Sequence, residues 1–65
     1  MIVVNGEETD VPDNISLGAL IDHLSLASER VAVELNREVV RRDQWPSAVL
    51  AECDRVEIVH FVGGG

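Results

Sequence analysis

The chain has 65 residues, 46% of them hydrophobic, and twelve acidic against five basic side chains give it a formal charge of −7. A chain of this length forms one small domain whose hydrophobic core is only just sufficient. The charge argues against nucleic acid as a partner, because binding to phosphate backbones depends on clustered Lys and Arg. It fits either a solubilising surface or electrostatic steering toward a basic partner.

The sequence also limits the cellular location and the kind of site. The first residues lack the basic region and long apolar run of a secretory signal, and no apolar stretch approaches the twenty residues of a membrane span. The single cysteine, Cys53, excludes an intramolecular disulfide, and the residue pairs of a zinc site are absent. We therefore expect a cytoplasmic protein with no bound metal.

The first eleven residues predict a β-hairpin. The β-branched run of residues 2–4 precedes Asn5-Gly6, which is the strongest two-residue turn signal. A second strand is expected from Glu7 to Val11, ending before Pro12, which cannot donate a hydrogen bond to a sheet.

Residues 16–24 predict a short helix. Leu17, Leu20, Ile21 and Leu24 recur at the spacing of one helical face, and Ser16 is a suitable N-cap. Such a short helix is stable only when that face packs on a sheet.

The middle of the chain predicts one strand and several shorter features. Val31, Val33 and Leu35 alternate as one face of a strand at 31–35, and a turn at 36–37 leads to a short strand at 39–40. A turn is expected at 43–46, because Pro46 disfavours helix for the residue before it. Residues 48–51 are expected to form an irregular or 3₁₀ turn.

The end of the chain is a strongly strand-forming run, residues 55–62, followed by Gly63, Gly64 and Gly65. The order of elements predicts an α+β fold, the β-grasp: a mixed sheet of four or five strands with one main helix packed on one face. A right-handed crossover places the last strand parallel to the first. Residues 1–62 form this domain, and residues 63–65 form a flexible C-terminal glycine tail. A frayed end or an expression scar is the alternative interpretation of the tail.

Four segments together carry a resemblance to a known family. They are residues 2–7, the helical 20–24, residues 33–40 with Arg42 and Trp45 after them, and residues 54–65. With them the chain resembles the ubiquitin-like sulfur carrier proteins, most closely the thiamine-biosynthesis carriers of the ThiS family, along essentially its whole length. The pattern Asn-x-x-Val-Val-x-Arg-x-x-Trp at 36–45 is more specific to the thiamine branch than the terminal Gly-Gly. The chain departs from the family at Cys53, where glycine is frequent, and at Ala19, where the capping-box acid is missing.

The resemblance implies a function for the C-terminal carboxylate of Gly65. It implies that an E1-like, ThiF-like enzyme uses ATP to adenylate this carboxylate, and that a sulfur donor such as a cysteine desulfurase converts it to a thiocarboxylate. A ThiG-like thiazole synthase then takes the sulfur for the thiazole ring of thiamine. The carrier would be a protein-borne co-substrate rather than an enzyme, with no bound cofactor and only the adenylate and thiocarboxylate as covalent forms.

The physical demand on such a carrier is a narrow tail. Three glycines span about 10 Å when extended, and they carry no side chains that would widen the peptide where it enters another protein's ATP site. Gly63, Gly64 and Gly65 are therefore the predicted threading segment.

The alternation of the last strand also predicts a docking surface. If Val56 and Ile58 face the helix together with Val62, then Val59 and Phe61 lie on the opposite face of the sheet as exposed apolar residues. Val59, Phe61, Val62 and Trp45 are the candidate partner-docking residues. A loop that covers this face is the alternative, and Trp45 could equally close the edge of the core.

Other reactive residues have more ordinary interpretations. Cys53 lies beside Glu52 and Asp54, which disfavour its thiolate. His23 and His60 have no partner set for a metal, and Arg37, Arg41 and Arg42 form a minor basic cluster. Two further functions stay open: a carrier for molybdopterin, cysteine or tRNA thiolation, and a ubiquitin-like interaction or modifier protein.

Overall fold

The computed structural model describes residues 1–61. The strands are β1 (Ile2–Val4), β2 (Glu7–Thr9), β3 (Val31–Leu35), β4 (Glu38–Val40) and β5 (Arg55–His60). The α-helix α1 spans Leu17–His23, and 3₁₀ helices span Ser28–Arg30 and Arg42–Ser47.

These strands form a mixed sheet in the order β2-β1-β5-β3-β4. β1 and β5 are parallel, whereas the other neighbouring strands are antiparallel. The parallel pair follows from the crossover, because α1 carries the chain from one edge of the sheet across a face to the other side. The predicted β-grasp is confirmed, with five strands in the part of the chain that the structure describes.

The helix packs against one face of this sheet. Leu17, Leu20 and Ile21 are buried on its inner side, and the Ser16 hydroxyl accepts a hydrogen bond from Ala19 N–H at 3.0 Å. Half of a capping box is therefore present, and the missing acid at position 19 leaves the serine bond intact. The rest of the core comes from the inner faces of the strands, the 3₁₀ helix at 42–47 and the loop before β5: Ile2, Val31, Val33, Trp45, Leu50, Val56 and Ile58.

Two local predictions are wrong. β2 ends at Thr9 rather than at Val11. Residues 42–47 form a 3₁₀ helix that includes Pro46, while residues 48–50 are extended beside the helix N-terminus, with a bridge between Ser16 and Val49. The 3₁₀ helix thus lies where a turn was predicted at 43–46, and burial of Trp45 holds it in place. Residues 48–51, predicted as an irregular or 3₁₀ turn, are irregular.

The start of β1 is tied to the turn that precedes β5. The Met1 ammonium donates a hydrogen bond to Glu52 Oε1 at 2.7 Å, and Cys53 N–H donates to Met1 C=O at 2.9 Å. The bond to Glu52 raises the pKa of the ammonium above its usual value, against a smaller opposing effect of desolvation. Among residues 1–61, no helix is long and apolar enough to cross a membrane.

Candidate functional site at the end of the last strand

β5 is the last strand of the described residues. It lies at the centre of the sheet, between β1 and β3, and pairs with β3 along Val56–His60. A strand held between two neighbours is a rigid base for whatever follows it. Phe61 is the last described residue, so the predicted tail of Gly63, Gly64 and Gly65, and the predicted inward position of Val62, lie outside the described residues.

The predicted apolar face beside this end is present. Val56 and Ile58 are buried against α1, whereas Val59 and Phe61 are 57% and 54% exposed on the other side of the strand. Val59 lies directly opposite Ala32 of β3, which extends the apolar area across two strands. Exposed apolar residues grouped near a chain end are typical of an interaction surface.

Trp45 does not belong to this face. It is 4% exposed, and its indole Nε1–H donates a hydrogen bond to Val40 C=O at 2.9 Å. The backbone of Trp45 and Pro46 packs against Gly18, on the helix side of the sheet. The sequence allowed Trp45 either on the docking surface or at the edge of the core. In the structure it lies in the core, so Trp45 is removed from the docking candidates.

Charged residues lie on the same open face, farther from the chain end. Glu34 and Glu57 are direct cross-strand neighbours, and they line an open hollow of about 780 Å³ together with Asn36, Arg37 and Arg55. Like charges directly opposite each other destabilise a sheet.

The predicted basic cluster is dispersed in the structure. Arg37 lies at this hollow, Arg41 is 3.8 Å from Asp43 in an exposed ion pair, and Arg42 begins a 3₁₀ helix on the helix side of the sheet. The open face therefore presents both signs of charge, and the overall charge of −7 does not describe it.

Sequence reasoning missed two asparagine side chains that hold β5. Asn5 Oδ1 accepts a hydrogen bond from Ile58 N–H at 2.7 Å, and Asn36 Oδ1 accepts one from Arg55 N–H at 3.0 Å. The sequence predicts both residues in turns and gives neither a contact with β5. The signal available in the sequence was an asparagine directly after each of two strands, Asn5 after β1 and Asn36 after β3.

Cys53, His23 and His60 are the residues that the sequence offers for redox chemistry or metal binding. Within residues 1–61, no group of three or more His, Cys, Asp and Glu side chains is arranged to hold a metal ion. Cys53 is exposed in the turn before β5, and its backbone has a φ of 70°. That conformation favours glycine, which explains why glycine suits this position.

Comparison with known proteins gives consistent matches over the whole chain. A sequence model of the ThiS family matches residues 2–65. A thiazole synthase of Magnetococcus marinus is 44% identical over 64 residues, covering 98% of this chain, which spans only 20% of the length of that protein. The sulfur carrier protein ThiS of Bacillus subtilis is 33% identical over 66 residues, with both chains covered completely.

A solved structure shares the fold. The crystal structure of a thiamine biosynthesis protein (ThiS) from Geobacter metallireducens superimposes with a TM-score of 0.82 at 34% identity, covering 98% of this chain and 97% of the other. This agreement extends the match from sequence to the arrangement of the strands and the helix.

Proposed function

Because this chain belongs to the ThiS family, we propose that it is a sulfur carrier of thiamine biosynthesis whose working group is the α-carboxylate of Gly65. The observation that carries the proposal is the family match over residues 2–65, a range that includes both β5 and the glycines at 63–65. The complete alignment with the Bacillus subtilis carrier supports it further.

The chemistry begins with an unreactive group. An α-carboxylate has a pKa of about 3.5, so it is ionised at neutral pH and offers no good leaving group. In the proposed first step a carboxylate oxygen of Gly65 attacks the α-phosphorus of ATP in an E1-like enzyme, and pyrophosphate leaves. The acyl adenylate then has AMP as a leaving group.

Sulfur enters in the second step. The terminal sulfur of a persulfide donor attacks the acyl carbon of Gly65, AMP leaves, and an acyl disulfide forms. A second thiol reduces the S–S bond, so that the donor leaves as a disulfide with that thiol and the thiocarboxylate remains on Gly65. A thiazole synthase is the proposed acceptor, in keeping with the similarity to the thiazole synthase of Magnetococcus marinus.

The described residues contribute position rather than catalysis. Gly65 is four positions beyond Phe61, and four residue steps of extended chain span at most about 14 Å. The enzyme that reaches the carboxylate must therefore approach the end of β5. We propose that Val59 and Phe61 contact it there. The use of ATP and a thiol reductant fits a cytoplasmic location.

Intact-mass analysis tests the function. The chain is incubated with ATP, an E1-like enzyme, a cysteine desulfurase with cysteine, and a thiol reductant. We expect a mass gain that corresponds to one oxygen replaced by sulfur. Oxidation of Met1 or Cys53 adds nearly the same mass. Fragmentation must therefore locate the gain at residue 65, and it must vanish without ATP. An unmodified Gly65 in the complete mixture rejects the carrier function.

Two variants separate chemistry from docking. Deletion of Gly65 should abolish the mass gain and leave the unfolding temperature almost unchanged. Val59→Ser should raise the KM of the activating enzyme for the carrier, because it removes exposed apolar area next to the tail. Val49→Ser is its matched control, since Val49 is equally exposed at 58% but lies beside the helix N-terminus.

A further inference from the structure

The backbone of β5 uses alternate residues for its two neighbours. On the β3 side, Phe61 N–H donates to Arg30 C=O at 2.8 Å, and Asn36 N–H donates to Arg55 C=O at 2.8 Å. Because backbone groups of successive strand residues point in opposite directions, residues 55, 57, 59 and 61 all face β3.

The even-numbered residues face β1. Val3 N–H donates to Asp54 C=O at 2.9 Å, and Asn5 N–H donates to Val56 C=O at 2.8 Å. β1 ends at Val4, and the chain then turns away toward β2. β5 continues for several residues beyond the point where its parallel neighbour stops.

The side chain of Asn5 extends this pairing by one residue. Its Oδ1 accepts from Ile58 N–H at 2.7 Å, and its Nδ2 donates to Ile58 C=O at 3.3 Å. The amide thus takes the place of the next residue of β1. His60 is the next residue of β5 whose backbone N–H and C=O face the β1 side. Among residues 1–61 its cross-strand partner is Val31 of β3, and these two residues exchange no backbone hydrogen bonds.

We propose that this edge of β5, at His60, pairs with an extended backbone segment of the activating enzyme, in the line of β1. The segment would donate to His60 C=O and accept from His60 N–H, as in strand addition to a sheet edge. The proposal rests on the proposed function, because it assigns this edge to the protein that handles Gly65.

The position of this edge of β5 supports the activating enzyme as its partner. An enzyme that binds Gly65 lies within about 14 Å of Phe61, and the backbone of His60 directly precedes that residue. The turn at the end of β1 is itself open at Gly6, where an added Cβ would meet no atom within 4 Å.

Hydrogen exchange of the unmodified carrier is the first test. Exchange is measured with and without saturating activating enzyme and ATP, then quenched, and the dissociated carrier is analysed by NMR. We expect Phe61 N–H to be protected in both states and His60 N–H to gain protection only in the complex. Equal exchange of His60 N–H in both states overturns the proposal. So does protection that rises with carrier concentration without enzyme, which would assign the edge to a second copy.

Chemical synthesis of the chain allows a direct test of the bond. N-methylation of His60 removes the proposed donor without changing a side chain. N-methylation of Glu8 is the control. Val3 N–H donates its hydrogen bond to Asp54 C=O on the β5 side, so Val3 and Glu8, which are cross-strand partners, exchange no backbone hydrogen bonds. Glu8 N–H therefore points outward from the edge strand β2.

The two N-methyl variants should differ in activation but not in folding. We expect N-methyl-His60 to raise the KM for adenylation about three- to tenfold, the effect of one neutral hydrogen bond, with kcat nearly unchanged and N-methyl-Glu8 equal to the unmodified chain. An unchanged KM for N-methyl-His60 overturns the edge pairing while leaving the carrier function in place. Absence of adenylation in the unmodified chain instead rejects the proposed function, and the edge pairing with it.

Discussion

The two hairpin turns of the sheet have the same backbone conformation and different sequences. Asn5 and Gly6 have φ angles of 49° and 83°, and Asn36 and Arg37 have φ angles of 51° and 73°. Both pairs match the two-residue turn that requires positive φ at both positions. The first turn places glycine where an L-residue is strained, whereas the second places arginine there.

The difference shows what stabilises each turn. Asn36 Nδ2 donates to Asp54 Oδ1 at 3.1 Å in addition to the bond from Arg55 N–H, so the second turn is held by the strand beside it. The bonds of Asn5 to Ile58 do the same at the first turn. These tertiary contacts offset the strain at Arg37, and each asparagine serves the central strand as well as its own hairpin.

The largest effect is expected from removing either asparagine. Asn5→Ala loses two side-chain bonds to Ile58 and places alanine at positive φ, for a loss of about 2–3 kcal/mol in the free energy of unfolding. Asn36→Ala should lose a similar amount by the same mechanism. Urea denaturation measures both, and a loss below about 0.5 kcal/mol in either variant would contradict the stabilising role assigned to that asparagine.

Replacing Gly6 should lower the free energy of unfolding less than replacing Asn5. Gly6→Arg gives the first turn the residue type of the second, and we expect a loss of about 1 kcal/mol from backbone strain alone. The added side chain has open space, so steric clash does not contribute. Thermal unfolding should show a fall of roughly 4–8 °C for a domain of this size. An unchanged unfolding temperature would contradict the role assigned to φ.

The reverse exchange should stabilise the chain. Arg37→Gly relieves the strain at a φ of 73°, and we expect a gain of about 0.5–1 kcal/mol after the greater entropy of glycine in the unfolded chain is subtracted. Arg37→Lys, which keeps both charge and strain, is the control that separates the backbone effect from the arginine charge. Equal stability of the two variants would attribute any gain to the guanidinium instead.

A third turn extends the comparison with the smallest expected effect. Cys53 has a φ of 70° in the turn that leads to Asp54, the residue bound by Asn36. Cys53→Gly should stabilise by about 0.5 kcal/mol, while Cys53→Ser should be nearly neutral, because Ser keeps the strained backbone. Calorimetry under reducing conditions compares the two. Stabilisation by serine equal to that by glycine would indicate an unfavourable thiol rather than an unfavourable dihedral angle.

Local patterns in the sequence predicted the elements that depend on neighbouring residues. The Asn5-Gly6 turn, the helical spacing from Leu17 to Leu24 and the alternation of β3 each arise within a few residues, and the structure has all three. The exposed positions of Val59 and Phe61 followed from alternation as well. The glycine tail carried the functional prediction, and it needed no knowledge of the sheet.

The remaining features depend on residues that are distant in the sequence, and only the tertiary structure decided them. Trp45 is buried because Val40 C=O accepts its indole N–H and α1 covers it. Glu34 and Glu57 adjoin only through the register of β3 with β5. Asn5 meets Ile58 across 53 positions of the chain. Hydrophobic period and turn propensity contain no information about such pairings, because strand register and helix docking determine them only when the sheet assembles.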